Sequence, residues 1–93
     1  MKSFLLKVYC TDKALFEGDA VSLSVPLDDG LYGVMANHAN TIAAIVKGNM
    51  KITRKDGGII FAEVSEGMMK IEDNEVLVLL DNAKITDEVR AIK

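Results

Sequence analysis

Apolar and polar residues alternate along most of this chain in short runs that turn-forming residues separate. Phe4, Leu6, Val8 and Cys10 recur at period two, the spacing of a strand with one face on a core. Thr11-Asp12-Lys13 supplies the turn that ends it. Leu15-Phe16-Glu17-Gly18-Asp19 reads as a short second strand closing at glycine. Ala20 to Val25 reads as a third, with Val21, Leu23 and Val25 facing inward. Pro26 has no backbone donor, so it is expected to end that strand or to sit at a sheet edge. A loop from Pro26 to Asn40 follows, holding the only proline, the only histidine and the acidic pair Asp28-Asp29.

The pattern then resumes. Thr41-Ile42-Ala43-Ala44-Ile45-Val46 is apolar with small residues, which fits a strand packed on both sides or a helical turn. Asn49 to Arg54 alternates, Lys55-Asp56-Gly57-Gly58 is a strong hairpin signal because glycine supplies positive φ, and Ile59 to Val64 is the return strand. Met68 to Glu72, the turn Asp73-Asn74-Glu75 and the long apolar run Val76 to Leu80 make a second hairpin. Adjacent Met68 and Met69 must point to opposite faces, so one fills the core and the other is available outside. With no helix between strands, residues 1–82 are expected to form an all-β antiparallel sandwich of about eight to ten short strands. From residue 83 the pattern changes. Thr86-Asp87-Glu88-Val89-Arg90-Ala91-Ile92-Lys93 has a capping residue, early acids and late bases, the signs of a helix beginning in a segment 83–93.

Composition narrows the class. A chain of 93 residues with 49% hydrophobic residues has the length for one core and the apolar content to fold. Its net charge is −3, and the densest basic patch, Lys51, Arg54 and Lys55, is too small to neutralise many phosphates, which argues against nucleic acid. Cys10 is the single cysteine, so no internal disulfide forms and a cysteine metal site lacks its partners; a small buried or half-buried residue is the expectation. Met1-Lys2-Ser3 leads into alternating residues instead of a signal-peptide apolar core, and no apolar run approaches the ~18–20 residues that span a bilayer. A soluble, cytoplasmic protein is expected.

Catalytic chemistry is sparse. A hydrolytic triad would hang on His38, with Asp81 as the orienting acid, and no serine sits in a Gly-x-Ser-x-Gly elbow. His38 has no second histidine or cysteine at ligand spacing, so no metal is expected, and Asp28-Asp29-Gly30 lacks the remaining oxygens of a calcium loop. Phosphate-cradling glycine motifs are missing as well. The acidic pair is either a solvated turn or an anionic contact for a basic loop on another protein.

Several stretches, taken in order, resemble the epsilon-subunit family of F-type rotary ATP synthases. Asp29-Gly30-Leu31-Tyr32-Gly33-Val34-Met35-Ala36-Asn37-His38-Ala39-Asn40 stands where that family has Glu-Gly-x-x-Gly-Ile-x-Pro-Gly-His-Ala-Pro. Phe16-x-Gly18, Gly48-x-x-x-Ile52, Val64-Ser65-x-Gly67 and Asn74-x-Val76-x-x-Leu79-x-Asp81 follow the family pattern too. The resemblance runs from about Phe4 to Ala91 and carries the identification by ordered combination. It implies a sandwich and a non-catalytic rotor part of the central stalk, peripheral on the cytoplasmic side of the cell membrane. Such a part binds the gamma subunit and the membrane ring of c subunits, so that ion transport drives ATP synthesis. It implies further that Asp28, Asp29, Gly30, Leu31 and Tyr32 face the c ring and that Cys10, His38 and Ala39 face gamma. Two departures stand out: the family prolines flanking His38 are replaced by Ala36 and Asn40, and Ser65-Glu66-Gly67 replaces a small-Gly-Gly segment.

Family members usually continue into two C-terminal helices, so a truncated or short form is expected here. Thr86-Asp87-x-x-Arg90-Ala91 resembles a segment with which some members bind regulatory ATP, which makes Asp87 and Arg90 candidate contacts. The residues alone favour an ordinary intrahelical ion pair between them, with no cofactor. The main alternative to the rotor subunit is a free-standing sandwich that binds a small molecule or peptide, which predicts a deep apolar pocket.

Overall fold

A computed structural model describes residues 2–90. Nine strands form: β1 (Phe4–Cys10), β2 (Lys13–Leu27), β3 (Gly30–Met35), β4 (Thr41–Ile45), β5 (Gly48–Arg54), β6 (Ile59–Val64), β7 (Gly67–Glu72), β8 (Glu75–Leu80) and β9 (Ala83–Val89). They make one hydrogen-bonded ladder in the order β4-β7-β8-β1-β2-β5-β6-β9, with β3 added on β2. Every pairing is antiparallel except that of β1 with β8, which is parallel and sets Leu5 to Cys10 beside Glu75 to Leu80.

The ladder folds into two layers because β2 serves both. Its first half, Lys13 to Ala20, pairs with β1; its second half pairs with β3 from Ser22 to Leu27 and with β5 as far as Ser24. At the join, Ala20 faces Arg54 and Ser22 faces Thr53, leaving Val21 as the extra residue of a bulge, which bends a strand and raises its twist. We call β4-β7-β8-β1-β2 the first sheet and β3-β2-β5-β6-β9 the second. Between them lies a single cluster that includes Phe4, Leu6, Val8, Leu23, Val25, Met50, Ile52, Met69, Ile71 and Val78. Among the described residues no polar or charged side chain is buried.

The sandwich matches the expected class, and four local readings are corrected. Leu15 to Val25 is one strand and not two: Gly18 pairs with Leu6 of β1 and the register continues through it from Phe16 to Ala20. Pro26 sits as expected, next to the end of β2 where the pairing with β5 has already stopped: only β3 pairs there, at Leu31, and its carbonyl accepts Val46 N–H at 3.0 Å. Val21 is not an inward residue, because the bulge shifts the phase so that Ala20 is buried in its place, while Leu23 and Val25 are buried as expected. Thr41–Ile45 is a strand with one face out, since Ile42 is 71% exposed. The stretch 26–40 contains β3 and is a loop only after Met35.

The expected C-terminal helix is also overturned within the described residues. Ala83–Val89 is a strand paired with β6, with Thr86 bulged between the partners of Phe61 and Ala62. Arg54 holds Glu88 at 3.5 Å and Asp56 at 2.6 Å, tying β9 to the β5–β6 turn. Local capping chemistry thus yields to a free edge on β6 whose backbone groups need partners. The ion pair expected of a helix falls with it: no ion pair joins Asp87 to Arg90 among the described residues. The remaining helix-like positions, residues 91–93, lie outside the described residues.

Candidate docking surface

Cross-strand partners share a sheet face, so register alone maps the outer side of the first sheet. One row runs Ala44, Met68, Leu79, Tyr9; the next runs Ile42, Lys70, Leu77, Lys7, Glu17. Met68 and Leu79 are each 47% exposed on neighbouring strands. A contiguous apolar strip therefore crosses the sheet one residue from the Cys10 end of its strands, flanked by Lys7 and by Lys70, which pairs with Glu72 at 3.3 Å. This is the composition of a recognition patch, apolar at its centre with charges around it. Met68 is the outward methionine of its pair and Met69 is fully buried. The rest of the strip escaped the sequence, although its signal was there: in the unbroken run Val76 to Leu80, Leu77 and Leu79 point away from the core.

The acidic turn sits at the tip of the β2–β3 hairpin. Leu27 pairs with Gly30, Asp28 and Asp29 span the turn, and Gly30 takes φ 124°, where a side chain would be strained. Leu31 is 73% exposed on β3, so the tip combines two carboxylates with an apolar side chain. Tyr32 turns the other way and packs on the core.

Tyr32 also reaches the loop after β3. Nδ1–H of His38 donates to its neighbour's carbonyl, Ala39 O, at 2.9 Å, which leaves Nε2 to accept from the Tyr32 hydroxyl at 2.8 Å. The rings meet edge on, with centroids 5.5 Å apart. The structure thus joins Tyr32 of one candidate group to His38 of the other. Asn37 N–H donates to Asn74 Oδ1 at 2.7 Å, which fixes the loop against the β7–β8 turn, next to the start of β1.

Cys10 stands at the far end of β1, opposite Leu80. It lies the length of the strand, roughly 20 Å, from the loop that holds His38. The two are not brought together; they lie at opposite ends of the sheet, with the apolar strip beside Cys10. Asp81 is also at the Cys10 end, where its carbonyl accepts from Thr11 Oγ1, so the pair His38 and Asp81 is never assembled. Burial pushes the Cys10 thiol up from its ordinary value, Lys13 pulls it partly back and Asp12 adds a little. A raised thiol pKa means less thiolate at neutral pH, and the thiolate is the reactive form. Iodoacetamide is expected to label Cys10 more slowly than free cysteine at pH 7 and to accelerate as pH rises through the alkaline range, as peptide mass spectrometry against time would show.

Asp87 faces Phe61 across the β6–β9 pair and accepts Glu88 N–H at 2.8 Å; Arg90 follows the strand, and both are exposed. No group of three His, Cys, Asp or Glu side chains among the described residues is placed to hold a metal. A groove of about 290 Å³ on the first sheet is open to solvent and lined by Lys7, Lys70, Glu72 and Glu75 beside Leu5 and Leu77, a surface furrow and not a deep apolar pocket. No helix of the described residues is long and apolar enough to cross a membrane.

Residues 3–86 match the family model described as ATP synthase, Delta/Epsilon chain, beta-sandwich domain. The chain is 39% identical over 90 residues to the ATP synthase epsilon chain of Ruminococcus albus and 36% identical over 89 residues to that of Ruminiclostridium cellulolyticum. Each match covers 96% of this chain and 66% of the relative, so the chain spans just under two thirds of their length. Among solved structures, a chain of the Euglena gracilis mitochondrial ATP synthase (OSCP/F1/c-ring) superposes with TM-score 0.84 at 18% identity, covering 89% of this chain and 53% of that one. A chain of the Tetrahymena thermophila mitochondrial ATP synthase central stalk/c-ring gives TM-score 0.75 at 12% identity, covering 89% and 66%. At those identities the likeness is one of fold. Sequence and fold agree along nearly the whole length: this chain belongs to the family of the ATP synthase Delta/Epsilon chain, beta-sandwich domain.

Proposed function

We propose that the chain is a central-stalk rotor subunit of an F-type ATP synthase, non-catalytic itself, that holds the gamma subunit and rests on the c ring. Ion-driven rotation of the ring is then passed to gamma and used for ATP synthesis. The observation that carries this proposal is the uncovered apolar strip Ala44, Met68, Leu79, Tyr9 on the first sheet, next to Cys10 at one end of the strands, with the His38–Ala39 loop at the opposite end of the same sheet. A part that transmits torque needs a broad, rigid face, and a sheet anchored in a filled core supplies one.

The hairpin tip is the natural c-ring contact. Asp28 and Asp29 offer charge to a polar loop of the ring, Gly30 permits close approach, and Leu31 adds an apolar anchor. The chain would thereby be a peripheral component on the cytoplasmic side of the membrane, held there by its partners. Asp87 and Arg90 are the residues a regulatory ATP would contact; equilibrium dialysis with labelled ATP at millimolar concentration tests this, and no retention removes it.

Mixing the purified chain with the gamma subunit of the same organism at micromolar concentration is expected to give one size-exclusion peak containing both. Separate elution would refute the assignment.

A further inference from the structure

We propose that Asn40, Asn74 and Tyr32 are positioning residues that hold the loop 36–40 in one register against the end of the first sheet, so that His38 and Ala39 meet gamma already ordered. The proposal rests on the assignment of that loop to the gamma-facing side. The loop has no strand pairing and no proline, and Asn37, Ala39 and Asn40 are exposed, so few packing contacts hold it. Ordering such a segment on binding is unfavourable, and ordering it beforehand removes that penalty.

The bonds that order it run in both directions. Asn37 N–H donates to Asn74 Oδ1 at 2.7 Å, and Asp73 N–H donates to Asn40 Oδ1 at 3.1 Å, so loop and β7–β8 turn each offer the other a backbone donor and a side-chain acceptor. Asn74 uses its other end as well, donating Nδ2–H to the Ser3 carbonyl at 3.0 Å, which ties the same turn to the start of β1. Within the loop, Thr41 Oγ1–H and His38 Nδ1–H both donate to Ala39 O, at 2.8 and 2.9 Å, and Tyr32 holds the far side of the His38 ring. The backbone is set for this arrangement: Asn37 has φ 63° and Asn74 φ 62°, left-handed conformations that asparagine tolerates better than most residues.

The turn conformation dictates the variants. Asn74→Gly keeps the left-handed backbone and removes both side-chain bonds; Asn74→Asp keeps the acceptor for Asn37 and loses only the donor to Ser3; Asn40→Ala removes the bond from Asp73. Native-state hydrogen exchange by NMR on the isolated chain is expected to show Asn37 N–H exchanging about tenfold faster in Asn74→Gly and within about twofold of wild type in Asn74→Asp. Gamma affinity is expected to fall about five- to tenfold in Asn74→Gly and Asn40→Ala and to be kept in Asn74→Asp. Tyr32→Phe should leave the strands intact and remove the bond to His38 Nε2 while Nδ1–H stays on Ala39 O, read as a change in the Nε2 chemical shift alone. Unchanged exchange in Asn74→Gly, or faster exchange with unaltered gamma affinity, would overturn the proposal while leaving the functional assignment in place. A wild-type chain that does not bind gamma would overturn both, and the wild-type binding curve tells the two failures apart.

Discussion

Gly67→Ala is expected to lower the free energy of unfolding by about 3 kcal/mol or more, the upper range for forcing extra atoms into a packed site. A Cβ on Gly67 would overlap the carbonyl oxygen of Leu79 and would lie 2.8 Å from Leu80 Cδ2 and 3.0 Å from Leu80 Cα. Two of those three atoms are backbone and cannot rotate away. The crowding has a visible origin. Ser65 N–H donates to Asn82 O, Asn82 N–H donates to Ser65 Oγ and Asp81 N–H donates to Glu66 O, so two chain segments cross in close contact just before β7 begins. Gly67 is where the strand passes the crossing. Urea unfolding followed by circular dichroism measures the loss, with Gly33→Ala as the control. Gly33 has nothing within 4 Å of its would-be Cβ and no positive φ, so its replacement should change stability by less than about 1 kcal/mol. Equal, small effects from both would contradict the packing described here.

Leu79→Glu is expected to weaken binding to gamma about 100-fold while leaving the fold intact, since a carboxylate buried in the apolar centre of an interface has no partner and the apolar contact is lost as well. Leu79 sits between Met68 and Tyr9 in the outer row of the first sheet, so the charge would fall in the middle of the strip. Val89→Glu is the matched comparison. Val89 is exposed to the same 47% but faces outward from the second sheet, opposite Ile59, and its replacement should leave affinity within about twofold. Titration calorimetry of the two variants against gamma separates the cases. Similar losses from both, or from neither, would move the docking face elsewhere.

The strands were most legible where alternation met strong turn chemistry. Arg54 to Gly58 closes its hairpin with Gly57 at φ 94° and Arg54 N–H donating to Gly58 O at 2.8 Å, and Asp73-Asn74 turns β7 into β8 with both residues at positive φ. Alternation failed where one strand serves two sheets. Gly18 looks like a terminator, yet β2 runs through it, and only the pairing with β1 on one half and with β3 and β5 on the other shows why. The segment Thr86 to Val89 carries genuine helix-start residues whose local preference is overridden by the edge of β6.

The candidate site was legible in part. The hairpin tip was found because acids and a glycine follow a clean strand. The strip on the first sheet was not, because its rows are assembled by the parallel pairing of β1 with β8, segments about 70 positions apart whose register no local pattern announces. The cross-ties of the 36–40 loop were hidden for the same reason: Asn37 and Asn40 find their partners at Asn74 and Asp73, far along the chain. Where the family pattern has prolines on either side of His38, this loop is tied by the side-chain amides of Asn40 and Asn74.

The most direct test is a hydrogen-exchange footprint of the chain bound to gamma. Slowed exchange is expected in β1, β4, β7, β8 and residues 37–40, with β6 and β9 unchanged. Protection concentrated on β6 and β9, or none at all in a saturated mixture, would contradict a rotor part that grips its shaft through the first sheet.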